Sequence, residues 1–225
     1  MVGTSDATAD ITMLCLLGAA RRAHEGTTML RTHSWVGWTP RQLMGVHVTG
    51  KRLGILGMGR IGQAVAERAR AFRMTIHYSN RKRLPPDLEK GAIFHANADD
   101  MLPEVDILSI NAPMTPETRK WVNAERIAKL PRGAIVVNTA RGGVVDDEAL
   151  IGALKSGRLA AAGIDVFDGE PRIHQGYYGL ENAFLLPHMG SATVETRNAM
   201  GFKALDNLEA FLLRNETPPD LVKAS

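Results

Sequence analysis

The sequence predicts an α/β protein with a doubly wound parallel sheet, on two observations. From residue 50 onward, short apolar segments of strand length alternate with amphipathic segments of helical period. Such alternation is typical of parallel strands joined by right-handed crossover helices. In addition, a glycine-rich turn joins the first apolar segment of this series directly to a helical segment, a connection found at the ligand-binding edge of open α/β sheets.

The N-terminal part is predicted to hold one helix and an irregular arm. Apolar residues recur at helical spacing over 6–25, and Gly26 follows as a helix stop signal. Over 27–50 this periodicity fails, and the segment contains Trp35 and Trp38. We therefore expect a helix at 6–25 and an arm without regular structure at 27–50.

After the arm, strands and helices are predicted in regular alternation. Strands are expected at 53–56, 75–78, 105–110, 134–137, 161–166 and 184–186. Helices are expected at 60–72, 123–130, 146–156 and 193–214. These elements predict one domain over residues 1–192, followed by a C-terminal helix and a proline-containing tail over 193–225.

The composition is typical of an ordinary soluble globular protein. Of the 225 residues, 44% are hydrophobic and 23% are charged, with a net charge of +3. This modest charge does not indicate a nucleic-acid partner, and the apolar run at 11–20 is too short to cross a bilayer. The single cysteine, Cys15, excludes an internal disulfide and is interpreted as a core residue. We expect a cytoplasmic protein without a nucleic-acid or membrane partner.

The glycine-rich turn reads Gly57-Met58-Gly59-Arg60-Ile61-Gly62 and indicates a dinucleotide site. It follows a predicted strand and opens a helix, which is the context that the Rossmann fingerprint requires. Gly57 permits a tight turn, Gly59 lets the backbone approach a pyrophosphate, and Gly62 allows close packing of helix on strand. The anion would then lie on the unpaired amides of the helix N-terminus. The alternative is a glycine-rich turn without a ligand.

The end of the second predicted strand favours NADP over NAD. An NAD site usually carries Asp or Glu there, to bind the ribose 2′-hydroxyl. This chain instead continues as Ser79-Asn80-Arg81, followed by two more basic residues and no acid. Ser and Asn can donate hydrogen bonds to a 2′-phosphate, and Arg can bind it in a bidentate manner. NAD stays possible, because the basic run could also be a solvated loop.

Five blocks of the sequence resemble the D-isomer-specific 2-hydroxyacid dehydrogenases. The blocks occur in the order and at the spacing typical of that family, and together they are far more specific than the glycine turn alone. They read GILGMGRIG, NAPMTPET, VNTARGGVVD, GIDVFDGEP and LPHMGSAT, at residues 54–62, 111–118, 137–146, 163–171 and 186–193. The basic loop is similar to that of the glyoxylate/hydroxypyruvate reductase branch.

The resemblance implies a catalytic trio of Arg141, Glu170 and His188. Reduction of a 2-oxo acid needs a proton for the new alkoxide, and an imidazole such as His188 exchanges a proton near neutral pH. Glu170, if paired with His188, would favour the imidazolium. Arg141 would bind the substrate carboxylate and polarise its carbonyl. Each residue alone could equally be an ordinary loop residue; the set within matching blocks favours the catalytic interpretation.

The resemblance also implies which other residues border the cofactor. Arg60 and Ile61 would present backbone amides to the pyrophosphate, Asp165 would hold the nicotinamide carboxamide, and Gly190 would close the ring pocket. Besides Arg141 and His188, the remaining neighbours are those expected near the adenosine side, the nicotinamide ribose and the nicotinamide: Ala112, Pro113, Thr118, Thr139 and Ala140. The other histidines do not cluster, so no metal is expected.

Family members normally carry an N-terminal substrate domain of roughly a hundred residues. This sequence begins almost at the helix that enters the cofactor domain, so we expect that domain to be largely absent. The helix and tail at 193–225 resemble the return to it. Arg141 and His188 are accordingly expected in an open cleft. The arm at 27–50 resembles the family's dimerisation segment, which implies a homodimer in which Trp38 reaches the neighbouring subunit's site.

The function that the sequence favours is hydride transfer between NADP(H) and a small 2-oxo or 2-hydroxy acid, such as glyoxylate or hydroxypyruvate. Another enzyme of the family, acting on phosphoglycerate, formate or phosphite, is a second possibility. A third is a catalytically incomplete or non-enzymatic dimeric module that binds NAD(P), similar to the family's corepressors.

Overall fold

The fold is a seven-stranded parallel sheet covered by helices, which confirms the predicted class. The computed structural model describes residues 2–222. The strand order is β3-β2-β1-β4-β5-β6-β7, and every pair of neighbours is parallel. The strands are β1 Arg52–Leu56, β2 Thr75–Ser79, β3 Ile93–His95, β4 Ile107–Ile110, β5 Ala134–Asn138, β6 Leu159–Ile164 and β7 Ala183–Leu185.

Eight α-helices accompany the sheet in the described part of the chain. They are α1 Val2–Ala20, α2 Ala23–Arg31, α3 Arg60–Ala71, α4 Pro86–Glu89, α5 Ala98–Met101, α6 Ala124–Lys129, α7 Asp147–Lys155 and α8 Val194–Leu212. The helices and strands that the sequence predicts after residue 50 are present, with ends shifted by a few residues. The predicted division at residue 193 stays a prediction, although α8 begins directly after it.

The single helix predicted at 6–25 is wrong, because the structure has two helices there. Arg22 adopts a left-handed conformation with φ 53, which breaks the helical path between α1 and α2. At this break Val46 N–H donates to Ala20 O over 2.7 Å, so the returning arm occupies the end of α1. Gly26 lies inside α2 and does not end a helix, contrary to the prediction. The irregular arm therefore starts after Arg31 rather than at residue 27.

Three short elements were not predicted from the sequence. The edge strand β3 pairs with β2 over only three residues, from Ile93 to His95. Helices α4 and α5 have four residues each. Elements of this length hold too few residues for a helical or strand period to be visible.

Helix α1 packs closely on the sheet through two small residues. A Cβ on Gly163 of β6 would clash with the Cys15 carbonyl, and one on Gly18 would lie 2.8 Å from the Phe184 ring. Cys15 is fully buried. Burial, and then the charge of Asp165, raise the pKa of its thiol to about 12. Cys15 is therefore an un-ionised core residue, as predicted.

The switch point of the sheet lies between β1 and β4. Strands β2 and β3 lie on one side of β1, and strands β4 to β7 lie on the other. In open parallel sheets ligands bind beside the carboxyl ends of the strands at this point. The loops that carry the predicted site all leave the carboxyl ends of β1, β2, β4, β5, β6 or β7. Within residues 2–222, none of the helices combines the length and apolar character needed to span a bilayer.

Candidate active site

The glycine turn forms a cradle at the N-terminus of α3. Gly57 has φ 94, and a Cβ there would lie 2.7 Å from Ala112 N, so the turn packs directly on the loop after β4. A Cβ on Gly62 would clash with the Gly57 carbonyl. Gly59 caps the helix, and a Cβ there would have no atom within 4 Å. Open space beside unpaired helix amides fits a pyrophosphate.

The end of β2 is tied to this turn. Ser79 is buried, and its carbonyl accepts a hydrogen bond from Gly57 N–H over 3.0 Å. Asn80 Oδ1 accepts from Met58 N–H over 2.7 Å. The two residues thus fix where β2 ends relative to the glycine turn, and the amide nitrogen of Asn80 keeps its donor capacity.

The two arginines of the basic run after Asn80 differ in their partners. Arg83 makes a bidentate ion pair with the buried Glu89 at 3.0 and 2.9 Å, and this pair holds the pKa of Glu89 below its ordinary value. Arg83 also lies over the Phe94 ring. Arg81 is exposed and forms no salt bridge with any described residue. Of the two arginines, Arg81 is therefore the one whose guanidinium is not held by an ion pair and could bind a phosphate.

A cleft of ≈ 610 Å³ lies beside the switch point and is lined by half of the predicted site residues. The predicted residues that line it are Ile61, Ala112, Pro113, Thr139, Ala140, Arg141, Asp165, His188 and Gly190. Thr118 does not line it. Its hydroxyl donates to Pro113 O and accepts from Thr115 N–H, both at 2.7 Å, so Thr118 shapes its own loop.

His188 and Glu170 form a hydrogen-bonded pair at the edge of this cleft. His188 Nδ1 lies 2.7 Å from Glu170 Oε2, and the other carboxylate oxygen accepts from Phe167 N–H over 2.7 Å. Burial works against ionisation of Glu170. The bonds from His188 and Phe167 outweigh it and hold the pKa of the carboxyl below its ordinary value. An ionised Glu170 only accepts, so Nδ1 carries a hydrogen and Nε2 is the ring nitrogen left for chemistry.

Asp165 anchors the turn that carries His188, a role that sequence reasoning missed. Its two buried carboxylate oxygens accept from Met189 N–H at 2.7 Å and Gly190 N–H at 2.9 Å. Its carbonyl accepts from His188 N–H, and His188 adopts φ 55 in this turn. Burial raises the pKa of Asp165, although the two amides oppose the shift. The carboxylate therefore fixes the backbone from which the imidazole projects.

Arg141 is exposed, but its backbone is locked. Buried Asn138 donates to Arg141 O over 3.0 Å and accepts from Ala140 N–H over 3.1 Å. The next residue, Gly142, packs so closely on Phe167 that a Cβ would clash with its backbone. Within the described chain the Arg141 guanidinium bonds only to the Ala140 carbonyl, at 2.6 Å. Its remaining donors are available for a carboxylate.

Helix α1 supplies two threonines that sequence reasoning did not assign to the site. Thr8 Oγ1 donates to Gly190 O over 3.1 Å, and Thr12 Oγ1 lies 2.7 Å from Thr139 Oγ1. Both residues are buried. No sequence signal could have found them, because their partners lie more than a hundred residues away along the chain.

The chain matches the model of the D-isomer specific 2-hydroxyacid dehydrogenase NAD-binding domain over residues 13–190. It belongs to this family. The match covers all five blocks up to Gly190, including the glycine turn and the loops of Arg141, Glu170 and His188. The predicted family is therefore confirmed, and the part of the family that the chain matches is its NAD-binding domain. The roles of single residues stay predictions.

Relatives within the family include enzymes of small hydroxy and oxo acids. The chain is 51% identical over 210 residues to glycerate dehydrogenase of Hyphomicrobium methylovorum, covering 92% of this chain and 65% of that protein. It is 42% identical over 222 residues to glyoxylate reductase of Thermococcus litoralis, covering 97% and 67%. The chain thus spans about two thirds of the length of the curated relatives that it matches.

Among solved structures of this family, one similar to the chain holds a cofactor. It is an NADPH-dependent glyoxylate/hydroxypyruvate reductase of Sinorhizobium meliloti in complex with NADP and malonate. The TM-score is 0.88 at 35% identity, and the match covers 100% of this chain and 71% of that one. A reductase of the family can therefore carry NADP on a fold that superposes closely on this one.

Proposed function

We propose that this chain is the cofactor-binding and proton-transfer part of an NADPH-dependent reductase of small 2-oxo acids. The observation that carries the proposal is the His188–Glu170 pair at 2.7 Å, at the edge of a cleft that Arg141 also lines. A proton donor and a carboxylate-binding cation beside a dinucleotide cradle are the groups that reduction of a 2-oxo acid needs.

In this proposal His188 supplies the proton. Bound nicotinamide supplies a hydride to the substrate carbon. His188 holds a proton at Nε2 and gives it to the carbonyl oxygen as that oxygen gains negative charge. Ionised Glu170, bonded to Nδ1 over 2.7 Å, keeps the ring from rotating and directs Nε2 toward the substrate.

Arg141 would bind the substrate. Its free guanidinium donors match the planar geometry of a carboxylate, and pairing there sets the 2-oxo group beside His188. Asn138 and Gly142 hold the backbone on either side of Arg141, which limits where the guanidinium can reach. A substrate therefore needs a carboxylate next to its carbonyl, as glyoxylate and hydroxypyruvate have.

We propose NADP(H) as the cofactor. Asn80 and Ser79 fix the end of β2 against the glycine turn, and the exposed Arg81 follows them without a salt bridge among the described residues. No carboxylate lies at this position to repel a 2′-phosphate. The similar reductase from Sinorhizobium meliloti, which is NADPH-dependent, supports this choice.

An absorbance assay of NADPH oxidation tests the function. We expect turnover with glyoxylate and hydroxypyruvate, and less with 2-oxo acids that carry a long apolar chain, which lie outside the proposed substrate class. Tight NADPH binding without turnover of any 2-oxo acid would contradict a reductase. A preference for the long-chain acids would contradict the proposed substrate class.

We further propose that the protein is a cytoplasmic homodimer. The arm exposes Trp35, Val36 and Trp38, with 52%, 99% and 78% of their surfaces accessible. Large exposed aromatic residues on one segment are typical of an interface, and Trp38 is the residue proposed to reach the second subunit's site. A reduced, buried Cys15 fits the cytoplasm. Sedimentation equilibrium tests the dimer; a monomeric mass at micromolar concentration would contradict it.

A further inference from the structure

One buried polar atom in the cleft has no partner. Among the buried side-chain nitrogen and oxygen atoms of the described residues, Asn111 Nδ2 alone lacks a hydrogen bond. Buried polar groups in folded proteins are almost always paired, and an unpaired one needs an explanation. Asn111 lines the cleft that also contains Arg141 and His188, so a ligand in that cleft is the natural source of the missing acceptor.

The other end of the Asn111 amide is already used. Ser109 Oγ, which is fully buried, donates to Asn111 Oδ1 over 2.9 Å. This bond fixes the amide so that Nδ2 is its free edge. Asn111 has no other side-chain bond within the described chain, so the side chain is oriented by Ser109 and left with two unused hydrogens.

The backbone places Asn111 at the switch point of the sheet. It directly follows β4, and its N–H donates to Leu56 O at the end of β1 over 2.8 Å. Its carbonyl carbon and Ala112 lie where a Cβ on Gly57 would make contact at 2.7 to 2.9 Å. Asn111 therefore lies between the glycine turn and the residues of the proposed reaction, where the middle and the nicotinamide half of a dinucleotide must pass.

We propose that Asn111 is a cofactor-binding residue whose Nδ2 donates a hydrogen bond to an oxygen on the nicotinamide side of the dinucleotide. The acceptor is a pyrophosphate oxygen or a hydroxyl of the nicotinamide ribose, both of which offer lone pairs to an amide donor. This inference rests on the proposed cofactor, and it adds a residue that the resemblance did not imply.

The test compares Asn111→Ala with Asn123→Ala, two asparagines with opposite expected roles. Asn123 caps α6 by accepting from Arg126 N–H over 3.0 Å and does not line the cleft. We expect Asn111→Ala to weaken NADPH binding about tenfold. Because it also leaves the buried Ser109 hydroxyl without its acceptor, the melting temperature of the cofactor-free protein should fall by a few degrees as well. Asn123→Ala should lower that melting temperature by several degrees and leave NADPH affinity unchanged.

Two further comparisons locate the acceptor on the dinucleotide. Asn111→Asp keeps the shape and the acceptor for Ser109 but removes the donor, so its loss of NADPH affinity should be at least as large. Adenosine 2′,5′-bisphosphate, which lacks both the pyrophosphate and the nicotinamide ribose, should bind all variants equally. With ADP as the probe, a loss in Asn111→Ala assigns the pyrophosphate as acceptor, and no loss assigns the ribose.

The inference is overturned if Asn111→Ala binds NADPH as tightly as the unaltered protein. It is also overturned if this variant loses stability while the NADPH affinity of its folded fraction is retained, because Asn111 would then be structural. Failure of the proposed function looks different: neither the unaltered protein nor Asn123→Ala would bind NADPH in the same titration.

Discussion

Two regions at the carboxyl edge of the sheet differ in how directly the backbone beside their functional side chains is held. The catalytic edge, defined as the loops of Arg141, Glu170 and His188, is held by buried polar side chains. Asn138 and Asp165 each bond backbone groups of these loops from below. The basic loop, residues 80–85, also has buried supports, since Arg83 pairs with Glu89 and Leu84 N–H donates to Tyr78, but its Arg81 forms no salt bridge with any described residue.

The difference follows from what each region would recognise. Proton transfer and carbonyl polarisation need atoms placed within a fraction of an ångström, so the backbone beneath them must be rigid. A phosphate attracts a cation over a longer distance, and a flexible exposed Arg81 is sufficient. The comparison predicts large effects of substitution at the catalytic edge and smaller, charge-dependent effects at the basic loop.

The largest effect is expected for His188→Ala, measured as the turnover of glyoxylate with NADPH. Loss of the proton donor should lower turnover about a thousandfold. The NADPH dissociation constant is the control and should change less than threefold, because His188 acts on the substrate. Retention of more than a tenth of the activity would remove His188 from the mechanism.

The anchor of the catalytic edge is tested by Asp165→Ala. This change leaves the partly buried amide of Met189 and the buried amide of Gly190 without acceptors, so the free energy of unfolding in urea should fall by about 2 kcal/mol. Asp165→Asn should lose less of the free energy of unfolding, because its remaining amide oxygen can still accept one hydrogen bond. Asp168→Ala is the matched control: its carboxylate is exposed and 4.0 Å from Arg119, so the change should be within about 0.5 kcal/mol. Equal stability of both alanine variants would contradict the anchoring role.

At the basic loop, Arg81→Ala should weaken NADPH binding about tenfold and leave NADH binding unchanged. The loss should shrink as salt rises, because exposed charges are screened. Arg83→Ala is the matched control, since its guanidinium pairs with Glu89. It should lower the melting temperature and preserve the ratio of NADPH to NADH affinity. If Arg83, and not Arg81, changes the ratio, the assignment of the phosphate ligand is wrong.

The smallest effect is expected from the pH dependence of Glu170. The pKa of this carboxyl is lowered in the folded state, so its contribution to stability is present above its ordinary pKa and lost as the pH falls. Glu170→Gln should therefore destabilise the protein near neutral pH by less than about 1 kcal/mol, since the pair is partly exposed. This difference should shrink as the pH falls below the ordinary glutamate pKa and vanish only below the lowered pKa of Glu170. A difference that grows in acid would contradict the pairing.

The parts of this molecule that the sequence predicts well are those with a local physical signature. The alternation of apolar and amphipathic segments predicted the parallel sheet, and the glycine spacing predicted a tight turn at Gly57, which has φ 94 in the structure. The family blocks implied that Glu170 and His188 belong to one catalytic trio, and their side chains lie 2.7 Å apart.

The parts that were missed depend on contacts between distant segments. The break after α1 exists because Val46 returns to bond Ala20, which no window around residue 22 can reveal. Asp165 reads as a ligand for the cofactor, and only the fold shows that its two oxygens hold Met189 and Gly190. Likewise, the sequence does not distinguish Arg83 from Arg81 within the basic run, and only the structure shows that Arg83 pairs with Glu89.

We propose that the two regions act together, with an NADPH-selective loop beside a proton-donating edge. The most direct test is the ratio of NADPH to NADH affinity of the unaltered chain, measured by titration of each cofactor at the same ionic strength. We expect NADPH to bind at least tenfold more tightly than NADH, because Arg81 forms no salt bridge with any described residue and no Asp or Glu stands directly after β2. Equal affinity, or a preference for NADH, would contradict it.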